Sequence, residues 1–100
     1  MSKVSVPSEL LDLREQIDRL DQELVLLLAH RFVLTRKVGE IKARENLEPF
    51  DGTREQDKLQ RIRALCEEHG LNPELVSEIL AGIMREVVQN HERMKAQQKP

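Results

Sequence analysis

Leu10, Leu13, Ile17, Leu20, Leu24 and Leu27 recur at alternating spacings of three and four residues, and Leu34, Val38 and Ile41 continue the series. Between Leu27 and Leu34 the pattern demands one more apolar side chain, and the sequence supplies Arg31. Burying a guanidinium without a partner is costly. Two readings answer that cost. Arg31 makes an intrachain ion pair or lays its stem on the seam with its head in water. Alternatively it faces a cavity that an anionic ligand completes. A second stripe on the same segment carries Arg14, Asp18, Asp21, Val25, Leu28, Phe32, Thr35, Gly39 and Lys42. Singly, Arg14 and Lys42 are ordinary solvated charges. Gathered around Arg31 they would grip carboxylates. Gly39, one turn before Lys42, removes a side chain, which suits close helix packing or room for a ligand.

Further along, Asp51, Arg54 and Glu55 open a second helical segment. Acids complement the positive end of a helix, whereas Arg54 opposes it and calls for an anion, whether a ligand, Asp51 or Glu55. His91 follows the apolar stripe of Met84 and Val87, where a partly buried structural histidine is the ordinary reading. His30, His69 and His91 lack metal-ligand spacing, and Cys66 is the only cysteine, so no metal site is expected. There is no Ser-His-Asp, Cys-His or Gly-rich phosphate signature. Spacing alone therefore leads to a cationic site for a small dianion, with no cofactor.

The elements that must position these groups are helical. The fold class read from the pattern is all-α: a three-helix chain with one very long N-terminal helix and no strand. Helix one spans about Ser8 to Arg44 with Ser8 as its cap. Pro49 and Gly52 flank a break. Helix two starts near Thr53, where Thr53 and Gln56 have capping-box spacing, carries Leu59, Ile62, Leu65 and Cys66, and stops at Gly70. Helix three takes Asn72 as N-cap and Pro73 at its first position. It buries a stripe of Val76, Ile79, Leu80, Ile83, Met84, Val87 and Val88, and frays after Met94, before the chain's last residue, Pro100. A single domain over residues 1–100, ordered over about 8–94, is expected. A helix of that length reaches ~55 Å, against a radius of gyration of ~13 Å for a compact chain of this size. The two shorter helices cannot cover its seam. An intertwined antiparallel homodimer is expected, in which Arg14 of the partner approaches the Arg31–Lys42 stretch.

Composition removes several classes. Sixteen Lys and Arg against 18 Asp and Glu, net charge −2, lack the basic excess of a general nucleic-acid binder. Phe32 and Phe50 are the only aromatic side chains apart from histidine, too few for base stacking. No apolar run approaches the ~20 residues of a membrane span. Acids among the first residues argue against secretion, and a lone thiol suits a reduced, cytoplasmic setting. Two non-enzymatic readings compete. A helix-turn-helix DNA-binding dimer has the right outline, but its recognition helix would begin with Glu74 and Glu78, which phosphate repels. A dimeric coiled-coil adaptor predicts that Arg31→Leu stabilises the dimer.

The run LDLREQIDRLDQELVLLLAHRFVLTRKVGEIKA followed by DGTRE resembles the all-helical chorismate mutases. The likeness extends from about Leu10 to His91 and joins LRxxIDxLDxxL, LLAxR, VGxxK and DxxRE at that family's separations. It implies an intertwined dimer and the rearrangement of chorismate to prephenate, with no cofactor or metal. It places Arg14, from the partner chain, and Arg31 on the substrate's carboxylates. Lys42 matches the lysine that approaches a carboxylate and the ether oxygen of the breaking bond. Glu55 would take the ring hydroxyl, Asp51 would act mainly through its backbone, and Arg54 would help order the cationic wall. No stretch resembles a fused dehydratase, dehydrogenase or synthase, so the resemblance implies a mutase standing alone, with room for a complex with another enzyme of aromatic biosynthesis.

One departure falls on helix three. A serine and a glutamine four residues apart are frequent in the family, the glutamine donating to the ether oxygen; here those positions are Val87 and His91. Val87 cannot hydrogen-bond a carboxylate. His91 can donate through a ring N–H, neutral or protonated. A pH dependence in the range where histidine changes charge is the expectation, with activity rising as pH falls if the protonated ring is the better donor. Relatives with the same fold act on isochorismate, eliminating pyruvate, or on 4-amino-4-deoxychorismate. Glu55 could pair with an amino group as readily as with a hydroxyl, so these two substrates stand as alternatives to chorismate.

Overall fold

A computed structural model describes residues 5–48 and 51–97. The expectations that fell on Pro49, Phe50 and Pro100 lie outside the described residues. Three helices and no strand occur among those described: α1, Ser8–Arg44; α2, Gly52–His69; and α3, Pro73–Gln97. No helix among them is long and apolar enough to cross a membrane.

The chain divides into two compact units, Met1–Val33 and Leu34–Pro100. The first holds the opening part of α1. The helix begins on Ser8 itself, and the carbonyl of Pro7 accepts from the amides of Leu10 and Leu11 at 3.0 and 3.2 Å. Ser8 thus lies inside the first turn instead of capping it. The seam stands open to solvent, with Leu20 61% and Leu27 64% exposed.

The second unit holds the end of α1 with α2 and α3. The last turn of α1 closes in a Schellman motif. Asn46 adopts the left-handed conformation (φ 56°), its amide reaches Ala43 O, and the Leu47 amide reaches Lys42 O at 2.7 Å. Asp51, not Thr53, caps α2: its side chain accepts from the Arg54 amide at 3.2 Å, and its carbonyl accepts from Glu55. Thr53 sits two residues past the cap, because the helix already starts at Gly52.

At the other end of α2, Gly70 takes a φ of 68°, which glycine adopts without strain, and the amides of Gly70 and Leu71 both close on Cys66 O. Asn72 caps α3 as expected, accepting from the Glu74 amide at 3.0 Å. That helix continues to Gln97, past the expected fraying at Met94, since Lys95, Ala96 and Gln97 are all good helix formers.

Helix α2 packs against α3. The buried side chains of this unit are Cys66, Val87 and His91, with Gly39 of α1 also buried. Leu34, Val38 and Ile41 remain 44–49% exposed, so the seam is open here as well.

Candidate active site

His91 is 5% exposed, a polar ring among the few buried side chains of the second unit. Such burial requires a hydrogen bond, and the ring finds one on the backbone of α1: Nε2 lies 2.8 Å from the carbonyl oxygen of Thr35. A carbonyl only accepts, so Nε2 carries the proton and donates. Gly39 makes this approach possible. A methyl group there would overlap the His91 ring and meet the Met94 sulfur at 3.0 Å. The missing side chain exposes the Thr35 carbonyl one turn earlier. Gly39 therefore serves close packing, and what it admits is the histidine. The other ring nitrogen, Nδ1, is buried without a partner among the described residues.

Lys42 follows Thr35 by seven residues on α1, which returns it to the same helix face. It is half-buried. The lysine and the histidine named as catalytic are thus carried on, and packed against, one stretch of α1. Val87, one turn before His91 on α3, is 4% exposed and contributes only an apolar wall.

The residues at the start of α2 divide their work. The carboxylate of Asp51 is engaged in capping and its carbonyl accepts from the Glu55 amide, so of its polar groups only the backbone N–H could serve a ligand. Glu55 pairs with Lys58, whose Nζ stands 2.9 Å from Oε2. Arg54 is exposed and makes no ion pair with Asp51 or Glu55 among the described residues, so neither intrachain acid explains its place at a helix start. Glu55 and Lys58 line a cavity of about 660 Å³ between α2 and α3, with Leu59, Leu80, Met84 and Val88 among its apolar walls. Lys42, Arg54, Val87 and His91 do not line that cavity. In the first unit Arg14 is exposed and Arg31 is half-buried, with its Nη1 shielded from water.

Sequence reasoning placed Thr35 on the second stripe of α1 but gave it no role, and it missed Lys58. Thr35 acts through its carbonyl, which no side-chain pattern advertises. Lys58 was legible in principle: it follows Glu55 by three residues and precedes Leu59 and Ile62 on the packed side of α2. No group of three or more potential metal ligands occurs among the described residues.

Among the described residues an all-helical fold, a half-buried Lys42 on α1, and a groove between α2 and α3 lined by one acid, Glu55, and three bases, Lys58, Arg63 and Arg85, fit a site for a small anion. The family model for chorismate mutase type II matches residues 13–92. Over 79 residues the chain is 40% identical to the T-protein of Enterobacter agglomerans, an alignment that takes in 79% of this chain and 21% of that protein. It is 38% identical over 82 residues to the bifunctional chorismate mutase/prephenate dehydratase of Aquifex aeolicus, covering 80% and 22%. The chorismate mutase of Methanocaldococcus jannaschii is 36% identical over 64 residues, covering 64% of this chain and 65% of the relative. The chain belongs to the chorismate mutase type II family. It spans about a fifth of the length of the T-protein and the bifunctional relative it matches.

Proposed function

We propose that this chain is a chorismate mutase: an isomerase that rearranges chorismate to prephenate by a [3,3] shift, within the single domain read over residues 1–100. The reading is carried by the match of residues 13–92 to the chorismate mutase type II family, and it brings in His91, whose buried Nδ1 has no partner among the described residues. His91 lies on the helix position where the family resemblance expects a donor to the ether oxygen. Arg14, Arg31, Lys42, Asp51, Arg54 and Glu55 occupy the remaining positions of that pattern.

The reaction is intramolecular and needs no nucleophile, metal or net proton transfer. The site must hold a flexible enolpyruvyl arm over the ring. Arg31 and the partner's Arg14, each gripping a carboxylate, supply that restraint. As the C–O bond breaks, negative charge grows on the ether oxygen. A fixed Lys42 ammonium stabilises it, and loss of one such donor typically costs ~10²–10³ in rate. With Nε2 committed to Thr35, a neutral His91 presents Nδ1 as an acceptor. The ring donates to the ether oxygen only when doubly protonated, which narrows the earlier expectation that either form would serve. Glu55 accepts the ring hydroxyl through the oxygen that Lys58 leaves open. Arg54 orders the cationic wall, and Val87 shapes it.

The open seam of α1 supports an antiparallel homodimer that brings Arg14 across. The single free thiol, Cys66, suits a cytoplasmic setting. The bifunctional relatives couple a mutase to a prephenate dehydratase by name, which fits a complex between this chain and another enzyme of aromatic biosynthesis. The test is a substrate panel of chorismate, isochorismate and 4-amino-4-deoxychorismate, run with wild type and Lys42→Ala. Conversion of chorismate to prephenate, reduced ~10²–10³-fold in the variant, is expected. Turnover of isochorismate alone would replace the mutase reading with a lyase.

A further inference from the structure

The Glu55–Lys58 pair differs from the other described ion pairs. Arg19–Glu15 and Arg44–Glu45 leave every side chain at least 59% exposed, as solvated helix pairs do. The Lys58 and Glu55 side chains are 15% and 17% exposed, and they meet at 2.9 Å. An exposed pair three residues apart on a helix contributes little. An enclosed one gives up water and side-chain freedom on both partners, and it fixes where each charge stands. This pair opens onto the cavity between α2 and α3, whose walls are otherwise mainly apolar.

We propose that Lys58 is a specificity-determining positioning residue: by holding one oxygen of Glu55, it makes that carboxylate accept a neutral hydroxyl and reject an ammonium at the same place. The inference rests on the mutase reading above, in which Glu55 receives the ring hydroxyl. A carboxylate has two oxygens and about four lone-pair sites. With Lys58 on Oε2, Oε1 is left for the substrate. A hydroxyl brings a hydrogen and no charge. A protonated amino group in its stead would set a second cation beside the Lys58 ammonium, in a groove where water screens poorly. Arg63 and Arg85 also line the cavity and add to that repulsion. Without Lys58 the preference is lost, because a lone carboxylate in a groove lined by Leu59, Met84 and Val88 is well matched by a cation. Discrimination here comes from a built-in repulsion of the wrong ligand.

The experiment compares kcat/KM for chorismate and for 4-amino-4-deoxychorismate in wild type, Lys58→Met, Lys58→Gln and Lys58→Arg, with helicity checked by circular dichroism. Wild type favours chorismate by roughly tenfold or more. That ratio falls by about tenfold or more in the two neutral variants and is retained in Lys58→Arg. Wild type that converts chorismate without preferring it overturns the inference whatever the variants do. So does an unchanged ratio in a folded neutral variant. In both cases the mutase reading stands. Wild type inert toward both substrates overturns the mutase reading, and the role of Lys58 with it.

Discussion

The His91 imidazole donates from Nε2 to the Thr35 carbonyl at 2.8 Å, through the space that Gly39 leaves open on α1. A residue of α3 is thereby tied to the helix face that carries Lys42, and only Nδ1 of its ring is left for a further partner.

Gly39→Ala tests that contact. In an ordinary helix interior the change would stabilise by roughly 0.5–1 kcal/mol. Here the new methyl overlaps the His91 ring. Overpacking of this kind costs about 1–3 kcal/mol, so the urea midpoint should fall and mutase activity with it. A midpoint that rises would show that the ring moves aside freely.

His91 is tested by replacement. The neutral ring has its only N–H on Thr35, so His91→Ala removes that contact together with any hydrogen bond from the ring to the ether oxygen. Turnover should fall ~10²-fold or more. A folded variant with unchanged turnover, measured by steady-state kinetics, would remove His91 from the chemistry.

Asp51 acts as a cap, and its replacement should be read as one. Asp51→Ala is expected to cost about 1 kcal/mol of stability and to raise KM by loosening Arg54 and Glu55, whereas Asp51→Asn keeps most of both. Equal losses in the two variants, measured by thermal melting and steady-state kinetics, would instead point to a role for the charge.

Arg31→Leu separates an enzyme from an adaptor. A leucine completes the apolar series between Leu27 and Leu34, and replacing a buried charge by a packed apolar group is often neutral or stabilising. Sedimentation equilibrium should therefore show a dimer as tight as wild type or tighter, while turnover is lost. A variant that keeps its activity would take Arg31 out of the site.

Much of the fold was legible because its signals are local. Gly70 ends α2, and Asn72 with Pro73 starts α3, each through backbone chemistry that the residue type dictates. The long reach of α1 followed from an apolar period broken only at Arg31 and from the lack of Gly or Pro between Ser8 and Gly39, and at Gly39 the His91 ring fills the space. The start of α2 was misplaced because two cap signals compete there. Asp51 prevails over Thr53 as the stronger capping residue, ahead of Gly52. Charge and spacing singled out Arg14, Arg31, Lys42, Arg54 and Glu55 as candidates. They could not show that Glu55 is held by Lys58, or that His91 spends one nitrogen on a backbone carbonyl. Those facts depend on where helices meet, and periodicity reports only which face of a helix is apolar.

In the proposed function the cations of this chain hold chorismate for rearrangement. The most direct measurement follows chorismate and prephenate with purified protein and no added metal, alongside Arg31→Ala. Catalysed formation of prephenate that falls at least ~10²-fold in the variant is the predicted result. A folded, dimeric wild type that leaves chorismate at its uncatalysed rate would contradict it.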